Sequence, residues 1–116
     1  MPSRIKLAAC QMAPRIFDKG YNLRRAQQMI TEAASADARL IILPEAALTG
    51  YCFSSPEEFQ PLAETIPGPS TQALAALCEE LNVFVIVGLI ERDGVLRQAP
   101  RQARDGAQDG AAYYNA

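Results

Sequence analysis

LIILPE, at residues 40–45, is the stretch of this sequence that decides the fold. Four aliphatic residues in a row are typical of a buried strand, and Pro44 ends that strand because proline has no N–H to donate to a ladder. Glu45 therefore follows the carboxyl end of a buried strand, where open α/β sheets form their ligand crevices. An apolar site raises the pKa of a carboxylate and makes it a better proton acceptor near neutral pH.

We therefore expect the Glu45 side chain to be mostly buried, to face a cleft and to have a raised pKa. A second interpretation stays open at this point. A glutamate after a strand is commonly a solvated loop residue or a charge at the start of a helix, and its position alone does not separate the two.

Alternating strand and helix patterns extend outward from this stretch. Apolar runs predict strands over Ile5–Met12 and Val83–Leu89, beside the strand at Leu40–Leu43. Apolar residues at helical spacing predict helices over Asp18–Ala36 and Ser70–Leu81. The order β-α-β-α-β predicts an α/β domain whose parallel strands form right-handed βαβ units.

The sequence changes in character after the third predicted strand. Asp93-Gly94 is typical of a hairpin turn, which would make the next strand antiparallel. Residues 97–112 contain one proline and no large apolar residue, so we predict a flexible low-complexity loop within the domain. Tyr113–Ala116 is typical of the beginning of a further strand.

Size and composition restrict the class of protein. A chain of 116 residues is expected to form one domain at most, spanning residues 1–116. The formal net charge of −2 offers no electrostatic reason to expect a nucleic-acid partner or an anionic membrane. The amino-terminal residues lack the apolar segment of a signal peptide, so we expect a cytoplasmic protein with no membrane partner.

The residue types present also restrict the chemistry. The chain has no histidine, which excludes Ser-His-Asp and Cys-His catalysis within it, as well as histidine-based zinc sites. Its three cysteines form no metal-binding motif, and we expect Cys10 and Cys78 to be core residues. No dinucleotide-binding or Walker glycine motif follows the first strand. We therefore predict neither a metal nor a cofactor.

Several short motifs, in order along the chain, now resemble those of one family. The central motif is Leu43-Pro44-Glu45 followed by Leu48-Thr49-Gly50-Tyr51. Supporting motifs are Ala9-Cys10-Gln11-Met12, Asn22-Leu23, Pro67-Gly68-Pro69 and Val87-Gly88-Leu89. Together they resemble the amino-terminal portion of the nitrilase, or carbon–nitrogen hydrolase, superfamily.

The resemblance implies a fold and a reaction. The fold would be an α-β-β-α sandwich, of which this chain supplies the truncated N-terminal part. The substrate would be a small-molecule amide, carbamoyl compound or nitrile, hydrolysed at a non-peptide C–N bond by a Glu-Lys-Cys triad. Glu45 matches the glutamate, the general base that takes the thiol proton. Tyr51 resembles a substrate-binding residue in the pocket wall, and Leu48–Tyr51 favours the amidase side of the family.

The resemblance also implies what this chain lacks. No lysine or cysteine of the sequence matches the other two triad residues, and Cys52 lies in none of the family's cysteine motifs. We expect the 116-residue chain alone to be inactive, and the full-length form to be a homo-oligomer. Two alternatives remain. One is a non-catalytic remnant or binding module that keeps part of the fold. The other is a small α/β ligand-binding domain, which the missing glycine motifs disfavour.

Overall fold

The computed structural model describes residues 3–93 and 112–115. The helices and strands follow one another in the predicted alternation, with a short 3₁₀ turn at Gln60–Leu62. The strands are β1 (Lys6–Ala9), β2 (Ala38–Ile42), β3 (Phe84–Ile86), β4 (Ile90–Asp93) and β5 (Ala112–Asn115), and the helices are α1 (Lys19–Ser35), α2 (Pro56–Phe59) and α3 (Pro69–Leu81).

The first three strands form one parallel sheet in the order β1-β2-β3. Leu40 in the central strand pairs with Leu7 on one side and with Phe84 on the other. The prediction that the three apolar segments lie side by side is therefore confirmed. β1 and β3 are shorter than their apolar runs, since pairing ends at Ala9 and at Ile86, whereas β2 begins two residues before the predicted Leu40 and ends one residue before Leu43.

Both long helices begin with side-chain caps that stabilise their first turns. Asp18 is the N-cap of α1, where its Oδ1 accepts a hydrogen bond of 3.0 Å from the Tyr21 N–H. In α3 the Thr71 hydroxyl accepts a bond of 2.7 Å from the Gly68 N–H. α3 ends at Leu81, after which Asn82 adopts a left-handed conformation with φ of 53°. The predicted helices are thus confirmed to within one or two residues.

The core lies on the face of the sheet that the helices cover. Ile41 in β2 is fully buried, and so are Ala26 and Ile30 of α1. Leu74 of α3 joins the same cluster, and Cys10 and Cys78 pack against its margin. The two cysteines predicted as core residues are thus half-buried at the margin of the core, and neither belongs to its fully buried cluster.

The opposite face of the sheet is apolar and uncovered by the described residues. Leu7, Phe84 and Ile86 have exposed fractions of 57%, 77% and 55%. Leu7 and Phe84 flank Leu40 in register, so the exposed side chains form a continuous patch across three strands. In an α-β-β-α sandwich this is the face that a second sheet covers.

The run Val83–Leu89 does not form one strand. Pairing with β2 stops after Ile86, and β4 starts at Ile90 as part of a separate two-stranded sheet. β4 pairs with β5 in the predicted antiparallel direction, while the predicted Asp93-Gly94 turn lies partly outside the described residues. The proposed flexible loop at residues 97–112 lies outside the described residues, apart from Ala112, which begins β5.

Across the part of the chain that the structure describes, no helix combines the length and apolar character needed to cross a bilayer.

Candidate active site

Glu45 stands at the carboxyl end of β2, on a turn of buried residues. The turn covers residues 45–49, and Ala46, Ala47, Leu48 and Thr49 are all buried. The Ala46 carbonyl accepts hydrogen bonds from the Thr49 and Gly50 amides at 3.2 and 2.8 Å. Ala46 itself has a φ of 49°, a left-handed conformation that non-glycine residues rarely adopt. The location predicted for Glu45 from the sequence is thus found.

The expected burial of Glu45 is wrong. Its side chain is exposed, although the four residues that follow are buried. No hydrogen bond or ion pair joins its carboxylate to another group within residues 3–93. The Ala46 and Leu48 side chains on the same turn are buried, so apolar neighbours along the chain do not bury the carboxylate. The carboxylate is therefore available to a group outside the described residues.

The loop after this turn depends on Gly50. Gly50 has a φ of 75°, in the left-handed region, and a Cβ at this position would lie 2.7 Å from Ile16 Cδ1. The loop after β1 is thereby packed against the loop that follows Glu45. Tyr51 comes next, with 58% of its side chain exposed, so it lies at the surface of this edge of the sheet.

Aromatic rings join the same two loops. The Phe17 ring lies 5.9 Å from the Phe53 ring in an edge-to-face arrangement, and Phe53 lies 5.6 Å from Phe59. Contacts of this geometry stabilise beyond the area they bury. The rings therefore hold the long segment between β2 and α3 beside the loop that follows β1.

Asn22 connects the same two loops through hydrogen bonds. Its side chain is fully buried in α1. Its Oδ1 accepts a bond of 2.7 Å from the Arg15 N–H, and its Nδ2 donates to the carbonyls of Arg15 and Leu48 at 2.8 and 2.7 Å. The sequence singled out Asn22 only as part of a motif. The structure shows that it anchors the far end of the Glu45 turn.

A second glutamate, Glu64, was not singled out from the sequence. Its side chain is 8% exposed and forms an ion pair of 3.0 Å with Lys19 Nζ. It also accepts hydrogen bonds from the backbone N–H of Ser70, at 2.7 Å, and from the Ser70 hydroxyl. The Glu64 backbone bonds to Ile90 and Arg92 of β4. No local sequence pattern predicts the role of Glu64, because its partners come from three separate elements.

The surroundings of Glu64 lower its pKa. Burial by itself acts in the opposite direction and raises the pKa, because it disfavours the charged form. The hydrogen bonds from Ser70 and the charge of Lys19 favour the carboxylate, and together they outweigh burial. Glu64 is therefore an ionised carboxylate whose bonds are satisfied within the fold.

Both lysines of the sequence already have partners. Lys19 Nζ bonds to Glu64 and also to the Leu62 carbonyl at 3.1 Å, while Lys6 Nζ donates to the Ala36 carbonyl at 2.8 Å. These contacts tie helices and loops together, so neither lysine is a candidate for the triad.

The three cysteines are all free thiols. Burial raises the pKa of the Cys10 thiol, with a further contribution from the nearby charge of Glu32, and burial also raises the pKa of Cys78. A raised pKa keeps a thiol protonated and unreactive. Cys52 is exposed in the loop after Tyr51. Within the described ranges, no group of three or more histidine, cysteine or acidic residues could hold a metal ion.

The arrangement so far is a parallel sheet with a free glutamate at its rim, in the sequence context Leu43-Pro44-Glu45. A family profile described as carbon-nitrogen hydrolase matches residues 6–116, nearly the whole sequence. The chain belongs to the carbon–nitrogen hydrolase family.

Relatives of this chain include enzymes named for nitrile and for amide chemistry. It is 36% identical over 91 residues to a nitrilase from Pyrococcus abyssi, an alignment that covers 78% of this chain and 35% of the relative. It is 38% identical over 96 residues to an omega-amidase from Danio rerio, covering 79% of this chain and 32% of the relative. The chain thus spans about a third of the length of these two relatives.

Solved structures show the same fold. A crystal structure of an N-terminal amidase superimposes with a TM-score of 0.67 at 24% identity, covering 78% of this chain and 22% of that one. The same amidase has been solved with a Gln-Val peptide. At this identity the likeness shows the fold alone: the chain has part of a nitrilase-like α/β fold.

Proposed function

We propose that the complete product of this gene hydrolyses a non-peptide C–N bond in a small amide, N-carbamoyl compound or nitrile, with Glu45 as the general base. The observation that carries the proposal is the free carboxylate of Glu45 at the carboxyl end of β2. Glu45 differs in this from Glu64, whose buried carboxylate is paired with Lys19. The Leu48-Thr49-Gly50-Tyr51 segment after Glu45 supports the amidase side of the family.

The chemistry assigned to Glu45 is proton transfer. In a Glu-Lys-Cys triad the glutamate takes the proton from the cysteine thiol, and the thiolate then attacks the substrate carbon. With an amide or N-carbamoyl compound, the C–N bond then breaks, the departing nitrogen takes up the proton that the glutamate holds, and a thioester forms. With a nitrile, thiolate attack and protonation of the nitrogen give a thioimidate, and a water molecule must add to it before the nitrogen leaves as ammonia and the thioester forms. Water then attacks the thioester with the glutamate again as base, which releases the acid and restores the thiol.

The other two triad groups do not correspond to residues of this sequence. A lysine would stabilise the negative charge that develops on the substrate oxygen. Lys6 and Lys19 are held in other contacts, and Cys10 and Cys78 pack against the core. We propose that these groups are supplied by sequence beyond the 116 residues. Tyr51, exposed at the same rim, is proposed to contact the substrate.

The first test is to read the coding DNA in frame past the codon for Ala116, which should show a lysine and a cysteine segment. The second is to purify the complete gene product and to measure ammonia release from a panel of amides, N-carbamoyl compounds and nitriles. Glu45→Gln should lower kcat on the order of 10³-fold, since positioned general bases contribute this much.

The matched control for this test is Glu80→Gln. Glu80 is an exposed glutamate of α3, far along the chain from the Glu45 turn, so its variant should keep full activity. Full activity of Glu45→Gln would overturn the proposal. If no lysine and cysteine follow in frame, the alternative of a non-catalytic module replaces it.

A homo-oligomeric full-length protein in the cytoplasm stays a prediction from the resemblance and the amino-terminal sequence. Size-exclusion chromatography with light scattering on the complete gene product measures its oligomeric state.

A further inference from the structure

Gly88 lies directly against the backbone of Glu45. A Cβ built on Gly88 would be 2.7 Å from Glu45 Cα, 2.9 Å from the Ala46 nitrogen and 3.2 Å from the Glu45 carbonyl carbon. Real Cβ atoms essentially never approach other heavy atoms closer than 3.0 Å. All three neighbours are backbone atoms, so no side-chain rotation can relieve the overlap. A methyl group at position 88 must therefore displace the backbone that carries Glu45.

The need for glycine at this position is steric. Among the described glycines only Gly50 has a positive φ, so the Gly88 backbone is outside the left-handed region. What Gly88 provides is the missing Cβ, which permits a close approach of two backbone segments. Substitution by alanine therefore tests the steric contact of a Cβ with Glu45, because it does not place alanine in a left-handed conformation.

Hydrogen bonds on both sides of the contact prevent the two segments from moving apart. The Leu43 N–H donates to the Ile86 carbonyl at 2.8 Å, and the Ala47 N–H donates to the Gly88 carbonyl at 3.1 Å. Glu45 lies between these two donors. Any shift that makes room for a Cβ at residue 88 must lengthen one of these bonds, and the bond from Ala47 is the nearer to the overlap.

Asn22 holds the other end of the turn. Its amide donates to the Leu48 carbonyl at 2.7 Å from a fully buried position in α1. The residues between Glu45 and Leu48 are thus fixed from the β3 side by Gly88 and from the α1 side by Asn22. The left-handed Ala46 within this turn shows that the surrounding contacts impose a conformation that alanine does not favour.

We propose that Gly88 is a positioning residue for the Glu45 carboxylate. By allowing the segment after β3 to touch the Glu45 backbone, Gly88 fixes where the base stands at the rim of the sheet. This inference rests on the proposed role of Glu45 in hydrolysis. A displacement of about 1 Å at a reacting group can lower a rate on the order of 100-fold, so the contact has a measurable consequence.

The test compares Gly88→Ala with Gly20→Ala in the complete gene product. A Cβ at Gly20 would meet only side-chain atoms, with Arg24 Nη1 nearest at 3.3 Å, so this variant changes a glycine to alanine without touching Glu45. Gly88→Ala should lower kcat on the order of 100-fold with KM unchanged. Gly20→Ala should leave both constants at the wild-type values. Unchanged kcat in Gly88→Ala would overturn the inference.

Hydrogen exchange followed by NMR provides a readout that does not depend on turnover. In Gly88→Ala the Ala47 amide should exchange faster while the Leu43 amide keeps its wild-type rate, because only the bond to residue 88 is displaced. If the exchange of both amides accelerates equally, the substitution destabilises the protein in general, and the inference is overturned. This readout also applies to a variant that folds poorly.

The Glu45→Gln variant separates the two proposals. If the Glu45→Gln enzyme is active, Glu45 is not the general base, and the proposed function and this inference are both overturned. An inactive Glu45→Gln enzyme beside a fully active Gly88→Ala enzyme overturns the role of Gly88 alone.

Discussion

Two glutamates of this chain, Glu45 and Glu64, have opposite surroundings. Glu45 is exposed on a tight turn and bonds to no other side chain within residues 3–93, whereas Glu64 is 8% exposed and bonds to Lys19 and Ser70. The sequence singled out Glu45 through its motif and passed over Glu64. The comparison teaches that the carboxylate that joins separate elements of the fold has no local signature in the sequence, whereas the motif marks a carboxylate that residues 3–93 leave unpaired.

The largest expected effect concerns the chemistry that Glu45 cannot perform alone. We expect the 116-residue chain by itself to hydrolyse no amide or nitrile, because loss of the nucleophile from such a unit can cost on the order of a million-fold in rate. Cys52→Ala should therefore leave this absence of activity unchanged. Ammonia release by the purified chain is the measurement. If the purified chain hydrolyses a substrate and Cys52→Ala abolishes this activity, Cys52 is the nucleophile. Glu45 would then act with a residue of this chain, contrary to our expectation.

A smaller effect is expected on stability, and it should be confined to Glu64. Glu64→Ala leaves Lys19 and Ser70 without their partner, which should cost about 2 kcal/mol, less than for a fully buried pair because Lys19 is 28% exposed. For a domain of this size the melting temperature should fall on the order of 10 °C.

Glu45→Ala is the matched variant for that measurement. Its side chain is exposed, so the free energy of unfolding should stay within about 0.5 kcal/mol of the wild type. Thermal melting followed by circular dichroism compares the two variants directly. Equal losses from both would show that Glu45 also supports the fold.

The smallest effect is a pH dependence of stability that belongs to Glu64. Its pKa is lowered in the folded state from the usual value of 4.5, so the unfolded chain binds more protons in acid. The contribution to stability is fully present above that usual value and is lost as the pH falls through the lower pKa of the folded state. Glu64→Gln should make the free energy of unfolding depend less steeply on pH below 4.5.

Urea unfolding across the acidic range measures this dependence. Glu80→Gln, which changes an exposed carboxylate of α3, should keep the wild-type slope. A Glu64→Gln variant with an unaltered slope would show that the ion pair with Lys19 leaves stability in acid unaffected.

Most of the fold could be predicted from the sequence because its signals are local. The aliphatic run ended by Pro44 predicted the central strand, and the helical spacing of apolar residues predicted α1 and α3. The run Val83–Leu89 was misjudged as one strand, because its apolar character continues past Ile86, where pairing with β2 stops.

The candidate site could be predicted only in part. The position of Glu45 at the end of β2 followed from the sequence, but its burial did not, since apolar neighbours along the chain pack inward and leave the carboxylate outside. Glu64 could not be found, because Lys19, Ser70 and β4 meet it from distant parts of the chain. Gly88 belonged to a recognised motif, yet its contact with Glu45 exists only between two folded segments.

The sequence by itself determined the order of strands and helices, the family and the place of Glu45 on its strand. The order of elements and the place of Glu45 follow from periodicity, caps and proline, which act over a few neighbouring residues, and the family follows from the resemblance of short motifs. Only the tertiary structure decided which carboxylate is buried and paired and which glycine must lack a side chain. It also decided which face of the sheet the described residues leave uncovered. Those properties depend on distances between segments far apart in the chain, and such distances are set by packing.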